Sequence, residues 1–89
     1  MYLHLGQGVV VKSSEIIGIF DLDTSTTNKT TRDFLSVAER EKRVTTVAME
    51  ELPKSFVVRR AKNSSKNEVF ISPMAAATLI KRSKHGRFL

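Results

Sequence analysis

Apolar and polar positions alternate most tightly between Tyr2 and Asp23 (YLHLGQGVVVKSSEIIGIFDLD), and the pattern predicts three short strands. Leu3 and Leu5 interleave with Tyr2 and His4. Gly6-Gln7-Gly8 supplies a turn, Val9-Val10-Val11 is a second run, and Ser13-Ser14 breaks the chain before Ile16-Ile17-Gly18-Ile19-Phe20. Strands this short need a helix or a second sheet over their apolar face. The stretch therefore reads as a scaffold, and its uncovered face or edge is the expected subunit contact.

The rest of the chain supplies the cover. Residues 24–28, Thr-Ser-Thr-Thr-Asn, are a run of turn and N-cap types that predicts a helix over residues 27–42. Phe34, Leu35, Val37 and Ala38 gather on one side of it, and Arg32, Asp33, Glu39, Arg40, Glu41 and Lys42 on the other. Residues 44–48 read as a strand and residues 49–53 as a loop, since Pro53 pushes Leu52 away from helical geometry. A strand over 54–60, a polar turn over 63–67 and a strand over 68–71 form an expected hairpin. Ser72-Pro73 reads as an N-cap and first helical residue, opening a short helix over 74–82, with a loose basic tail over 83–89. The expected fold is α+β: a small, mostly antiparallel sheet with one covering helix and a short C-terminal helix.

At 89 residues this is one domain, and a chain of this size buries only about 60–65% of its unfolded surface. Packing between subunits is one source of further stability. No apolar run approaches the roughly 18–20 residues of a membrane helix, and the N-terminus lacks the features of a signal peptide. These features predict a cytoplasmic protein with no membrane partner. Cysteine is absent, which excludes a disulfide framework, a thiolate metal site and a thiol nucleophile.

The net charge of +6 is unevenly spread. Residues 1–53 carry six Lys/Arg against eight Asp/Glu, a balance of −2, whereas residues 54–89 carry nine against Glu68 alone, a balance of +8. Such asymmetry suits a polyanionic partner, and equally a solvated surface that serves solubility.

Candidate catalytic chemistry does not assemble. The run IIGIFDLDT, an apolar strand ending in DxDxT, resembles the nucleophile motif of the haloacid dehalogenase superfamily. Three consecutive N-terminal strands in so short a chain leave no room for the doubly wound sheet such an enzyme needs, so Asp21 and Asp23 read as turn and capping residues. Gly6-Gln7-Gly8 lacks the third glycine and following helix of a dinucleotide site. His4 and His85 have no second ligand at metal spacing, and no serine sits in a nucleophile elbow. No enzyme activity, cofactor or metal is expected.

The basic side chains are the remaining candidates. Strand alternation sends Phe56 and Val58 to one face, leaves Lys54 at the loop end, and puts Arg59, Arg60 and Lys62 near the hairpin tip. Guanidinium groups at a tip can meet phosphates or guanine edges, while the same charges on an edge strand discourage aggregation. The residues alone leave both readings open. Lys81, Arg82, Lys84 and Arg87 form a second patch suited to nonspecific phosphate contact.

The segments YLHLGQGVVV, EIIGIFDLDTST, RDFLSVAE, LPKSFVV and VFISPMAAATLIKR together resemble the small extracellular-matrix regulatory family, RemA/RemB, of Bacillus-type bacteria. The likeness runs to about Arg82, giving a single domain over residues 1–82, and LPKSFVV and VFISPM are its most specific parts. It implies a LytTR-like fold and a ring-forming or otherwise oligomeric regulator that binds duplex DNA and controls transcription of matrix and biofilm genes. In the RemA branch an arginine cluster in the loop before the Ser55–Arg60 strand is tied to DNA binding. Here that loop reads Glu50-Glu51-Leu52-Pro53-Lys54, so only Lys54 keeps the charge. A further arginine entering the third strand appears as Glu15, with Lys12 the nearest substitute. Two alternatives follow. Either DNA contacts lie on Lys12, Lys54, Arg59, Arg60, Lys62, Lys81 and Arg82 of a homo-oligomer, or the chain is an assembly partner in a hetero-oligomer with a RemA-type paralogue.

Overall fold

In the computed structural model, which describes residues 2–61 and 65–87, the chain folds into three layers built on a four-stranded sheet. The three N-terminal strands do not stay together. Strands β1 (Tyr2–Gly6) and β2 (Val9–Lys12) pair antiparallel as a separate two-stranded hairpin. A 3₁₀ turn over Ser13–Glu15 then hands the chain to β3 (Ile16–Asp21) in the larger sheet. Gln7 and Gly8 at the hairpin tip have φ of 47° and 77°, left-handed values that a tight turn requires and that glycine adopts without cost.

Asp21 caps a one-turn helix, α1 (Leu22–Ser25), its carboxylate accepting from the Thr24 amide at 3.1 Å, as the capping reading expected. Asn28 caps the longer helix α2 (Lys29–Arg40), accepting from Thr30 N at 2.8 Å. Helix α2 is shorter at both ends than residues 27–42 because residues 22–25 form their own turn and Lys42, at φ 61°, reverses the chain. Strand β4 covers Val44–Thr46 only, although Val47 N still bonds to Ile71 O at 2.9 Å. Strands β5 (Ser55–Arg60) and β6 (Asn67–Ser72) pair antiparallel, while β4 runs parallel to β6.

The larger sheet has the order β3-β5-β6-β4, so β5 is an interior strand with Ser55, Phe56, Val57 and Val58 all buried. The edge-strand reading of its arginines is therefore set aside. One face packs Phe56, Val58 and Val69 beneath Ala38, with Phe34 and Leu35 of α2 alongside. The opposite face packs Val57 and Phe70 against Leu3, Leu5 and Val11 of the hairpin and Leu79 of helix α3 (Ala76–Arg87).

Two serines tie the layers. Ser72 Oγ donates to Leu5 O at 2.7 Å and accepts from Met74 N at 3.0 Å, and Ser55 Oγ donates to Met74 O at 2.7 Å. Ser72 thus belongs to a strand and caps a turn, instead of opening the last helix. That helix begins at Ala76, later than expected, and its backbone continues to Arg87, past Arg82 and into the segment read as a tail. Ala76 and Leu79 face inward one turn apart, leaving Lys81 and Arg82 exposed.

Candidate nucleic-acid interface

The nominated cations do not form one cluster. Lys54 immediately precedes β5 and Arg60 ends it, about 20 Å apart at the rise of a strand. Lys54 is exposed, its backbone held by Leu22 N to Lys54 O at 3.0 Å and Lys54 N to Ser72 O at 2.9 Å. Lys12, also exposed, ends β2, while Lys81 and Arg82 project from α3; these three belong to the layer of hairpin and C-terminal helix. Arg82 Nη1 lies 4.0 Å from Met74 Sδ, along the turn that α3 covers. Lys12, Lys54, Arg60, Lys81 and Arg82 are in no ion pair among the described residues. Lys62 lies outside the described residues, as do the side chains of Lys84 and Arg87.

Arg59 differs from the others. It faces Glu68 across the β5–β6 ladder, pairs with its carboxylate, and sets its guanidinium 5.1 Å from the centroid of the Phe70 ring. A phosphate would have to displace that carboxylate. Arg60, one residue on, takes the α2 side of the sheet with Phe56 and Val58, is exposed, and lies opposite Asn67.

The acidic residues also have defined places. Glu50 and Glu51 are exposed on the loop between β4 and β5, and Glu51 accepts from Gln7 Nε2 of the hairpin tip at 3.3 Å. Glu41 accepts from Lys66 Nζ at 2.8 Å and Arg43 Nε at 2.8 Å, and these bonds, with that to Lys66 foremost, hold its carboxyl below the usual 4.5. Among the described residues no group of three or more His, Asp or Glu side chains could hold a metal ion. Nor, among them, is any helix long and apolar enough to cross a membrane.

The pattern of the sequence is matched over residues 2–82 by the family model described as RemA-like, extracellular matrix regulatory protein A-like. The chain belongs to this family. Within the RemA-like proteins it is 31% identical over 84 residues to extracellular matrix regulatory protein B of Bacillus subtilis (strain 168), an alignment spanning 94% of this chain and 91% of that protein. The match covers the hairpin, the sheet and the start of α3, so what makes the chain RemA-like is the whole three-layer unit.

One feature of the RemA-like unit was not read from the sequence. Ile17, Phe20, Thr30, Thr31, Phe34, Phe56, Val58 and Asn67 line an open apolar groove of about 350 Å³ between β3 and α2. Its floor is the stacked pair Phe20 and Phe56, with ring centroids 5.0 Å apart. A bulge between Ile16 and Gly18 breaks the alternation of β3, which places Ile17 at the groove while Ile16 and Ile19 pack in the opposite core. The adjacent Ile16-Ile17 pair, out of step with a two-residue period, was the available signal.

Proposed function

We propose that this chain is a non-enzymatic, cytoplasmic regulator of extracellular-matrix genes that works as an oligomer and binds duplex DNA through phosphate contacts. The observation that carries the reading is the set of exposed, ion-pair-free cations Lys12, Lys54, Lys81 and Arg82, three of them on the layer of hairpin and C-terminal helix. Their spread favours a flat, multi-point electrostatic contact over a single element inserted into a groove. Each subunit offers few contacts, so useful affinity needs several subunits on one duplex. Arg59 is left out because Glu68 already neutralises it, and Arg60 because it lies on the α2 face, opposite the groove-lining Asn67 and away from the layer of hairpin and C-terminal helix.

The test is retardation of duplex DNA by the full chain between about 50 and 200 mM salt, a range over which multiple phosphate contacts lose orders of magnitude in affinity. Retardation that fades steeply with salt supports the proposal; none at low salt, or retardation indifferent to salt, refutes it.

Glu50 and Glu51 favour a second reading, in which the chain assembles with a sister regulator and leaves DNA contact to it. Two exposed carboxylates on the loop beside Lys54 repel phosphate. Co-elution with the sister protein, without any DNA shift of this chain alone, distinguishes that reading.

A further inference from the structure

Besides Tyr2 and Val10 on the hairpin, two exposed apolar features lie at opposite edges of one sheet. At the β3 edge Ile17 and Phe20 are 52% and 40% exposed and line the groove with Phe34. No strand among the described residues pairs with the outer side of β3. Just beyond the β4 edge, the loop to β5 carries Met49 and Leu52 at 86% and 78% exposure, the two most exposed large apolar side chains described. A lone exposed leucine needs no explanation, but an apolar edge strand with an open groove invites pairing.

We infer that Met49 and Leu52 of one subunit seat in the Ile17/Phe20/Phe34 groove of the next copy of this chain. The inference deepens the oligomer reading above and rests on it. Charge decides for this occupant. Between the two apolar residues lie Glu50 and Glu51, and opposite the groove-lining Asn67 stands Arg60, exposed and without an ion pair among the described residues. A loop with two carboxylates is a poor phosphate ligand but a suitable complement to that arginine. The groove is also open along the sheet edge and has few polar groups, Thr30, Thr31 and Asn67, which suits a protein segment better than an enclosed small molecule.

The contact is heterologous. Donor and acceptor are different patches on the same subunit, so each copy can use both, and repetition gives a ring if the rotation closes or a filament if it does not. The groove lies on the α2 face of the sheet, whereas Lys12, Lys81 and Arg82 belong to the layer on the opposite face.

The test uses Ile17→Glu and Met49→Glu, both at exposed positions, with thermal melting to establish that each variant is folded. Light scattering is expected to give the 10.0 kDa protomer mass for each variant alone and a 1:1 dimer on mixing, since one intact groove and one intact loop then remain to meet. The chain has no cysteine, so a second route is open. With oxidised glutathione as the electron acceptor, a mixture of Ile17→Cys and Met49→Cys proteins should form an intermolecular disulfide that neither forms alone. A wild-type chain that is monomeric at every concentration defeats the oligomer reading and this contact together. A multimeric wild type whose mass both glutamate variants retain, or a mixture in which Ile17→Cys couples to itself and no mixed disulfide forms, refutes this contact and leaves the oligomer standing.

Discussion

Arg59 and Glu68 stand opposite each other in the β5–β6 ladder, and their ion pair holds the guanidinium over the Phe70 ring. The pair joins two strands whose inward residues, Val57 and Phe70, belong to the core beneath the hairpin. Arg59 is thus part of the sheet's structure, although its neighbour Arg60 is a surface charge. Two arginines adjacent in sequence differ in role because successive strand residues take opposite faces.

Arg59→Ala should cost about 1 kcal/mol. A cross-strand pair of opposite charges contributes about 0.2–1 kcal/mol, and a partly exposed cation over an aromatic ring about 0.5–1 kcal/mol. Arg60→Ala should change stability by less than about 0.5 kcal/mol. Urea unfolding of the two variants checks this, and equal midpoints would contradict the assignment.

Ser72→Ala should be the more damaging of the polar truncations, at about 1–3 kcal/mol, because it strands the buried Leu5 carbonyl. The hydroxyl links residues 67 apart in sequence and fastens the hairpin to the large sheet. Hydrogen exchange should show lost protection in β1 and β2 before β5; uniform loss of protection would mean that the layers do not separate.

Glu41 gives stability a defined pH dependence. Lys66 and Arg43 favour its ionised form, so its carboxyl in the folded chain lies below the usual 4.5. That stabilisation is complete above the ordinary carboxylate range and is lost as pH falls through the lowered folded value. The carboxylate is close to solvent, which keeps the effect small. Glu41→Gln should be less stable than the parent at pH 7 and should converge with it as pH drops below the usual 4.5. Denaturation midpoints at pH 7 and pH 3 check this, and a gap that widens in acid would reverse the sign.

The sequence disclosed elements better than it disclosed their partners. Leu3 and Leu5 are legible as inward residues because they keep a two-residue period, and both are buried; in the continuous run Val9-Val10-Val11 nothing singles out Val11, the one that is buried. That the hairpin would leave β3 and cross to the opposite face was not legible, since Ser13-Ser14 marks a break without giving its direction. Arg59 was read as a hairpin-tip cation for the same reason: Glu68 becomes its partner only through register. The groove was hidden by the bulge at Ile17, which moves one side chain out of the alternation. The C-terminal helix starts later than Ser72-Pro73 predicts, because that pair has the composition of a cap whereas the Ser72 hydroxyl is already committed to Leu5 and Met74.

If phosphate contact lies on the layer of hairpin and C-terminal helix, replacing both Lys81 and Arg82 with Ala should weaken DNA binding and flatten its salt dependence together. Each lost phosphate contact removes about 0.9 from the slope of log affinity against log salt. Both side chains are exposed on α3 while Ala76 and Leu79 hold the helix down, so the fold should survive with a stability change below about 0.5 kcal/mol. Arg59→Ala should leave the slope unchanged, because Glu68 already neutralises that guanidinium. Shift assays across a salt series separate the two. An affinity that falls after Lys81→Ala/Arg82→Ala with no change of slope would mean that the two charges act indirectly, and a slope altered by Arg59→Ala would move the interface to the β5–β6 hairpin.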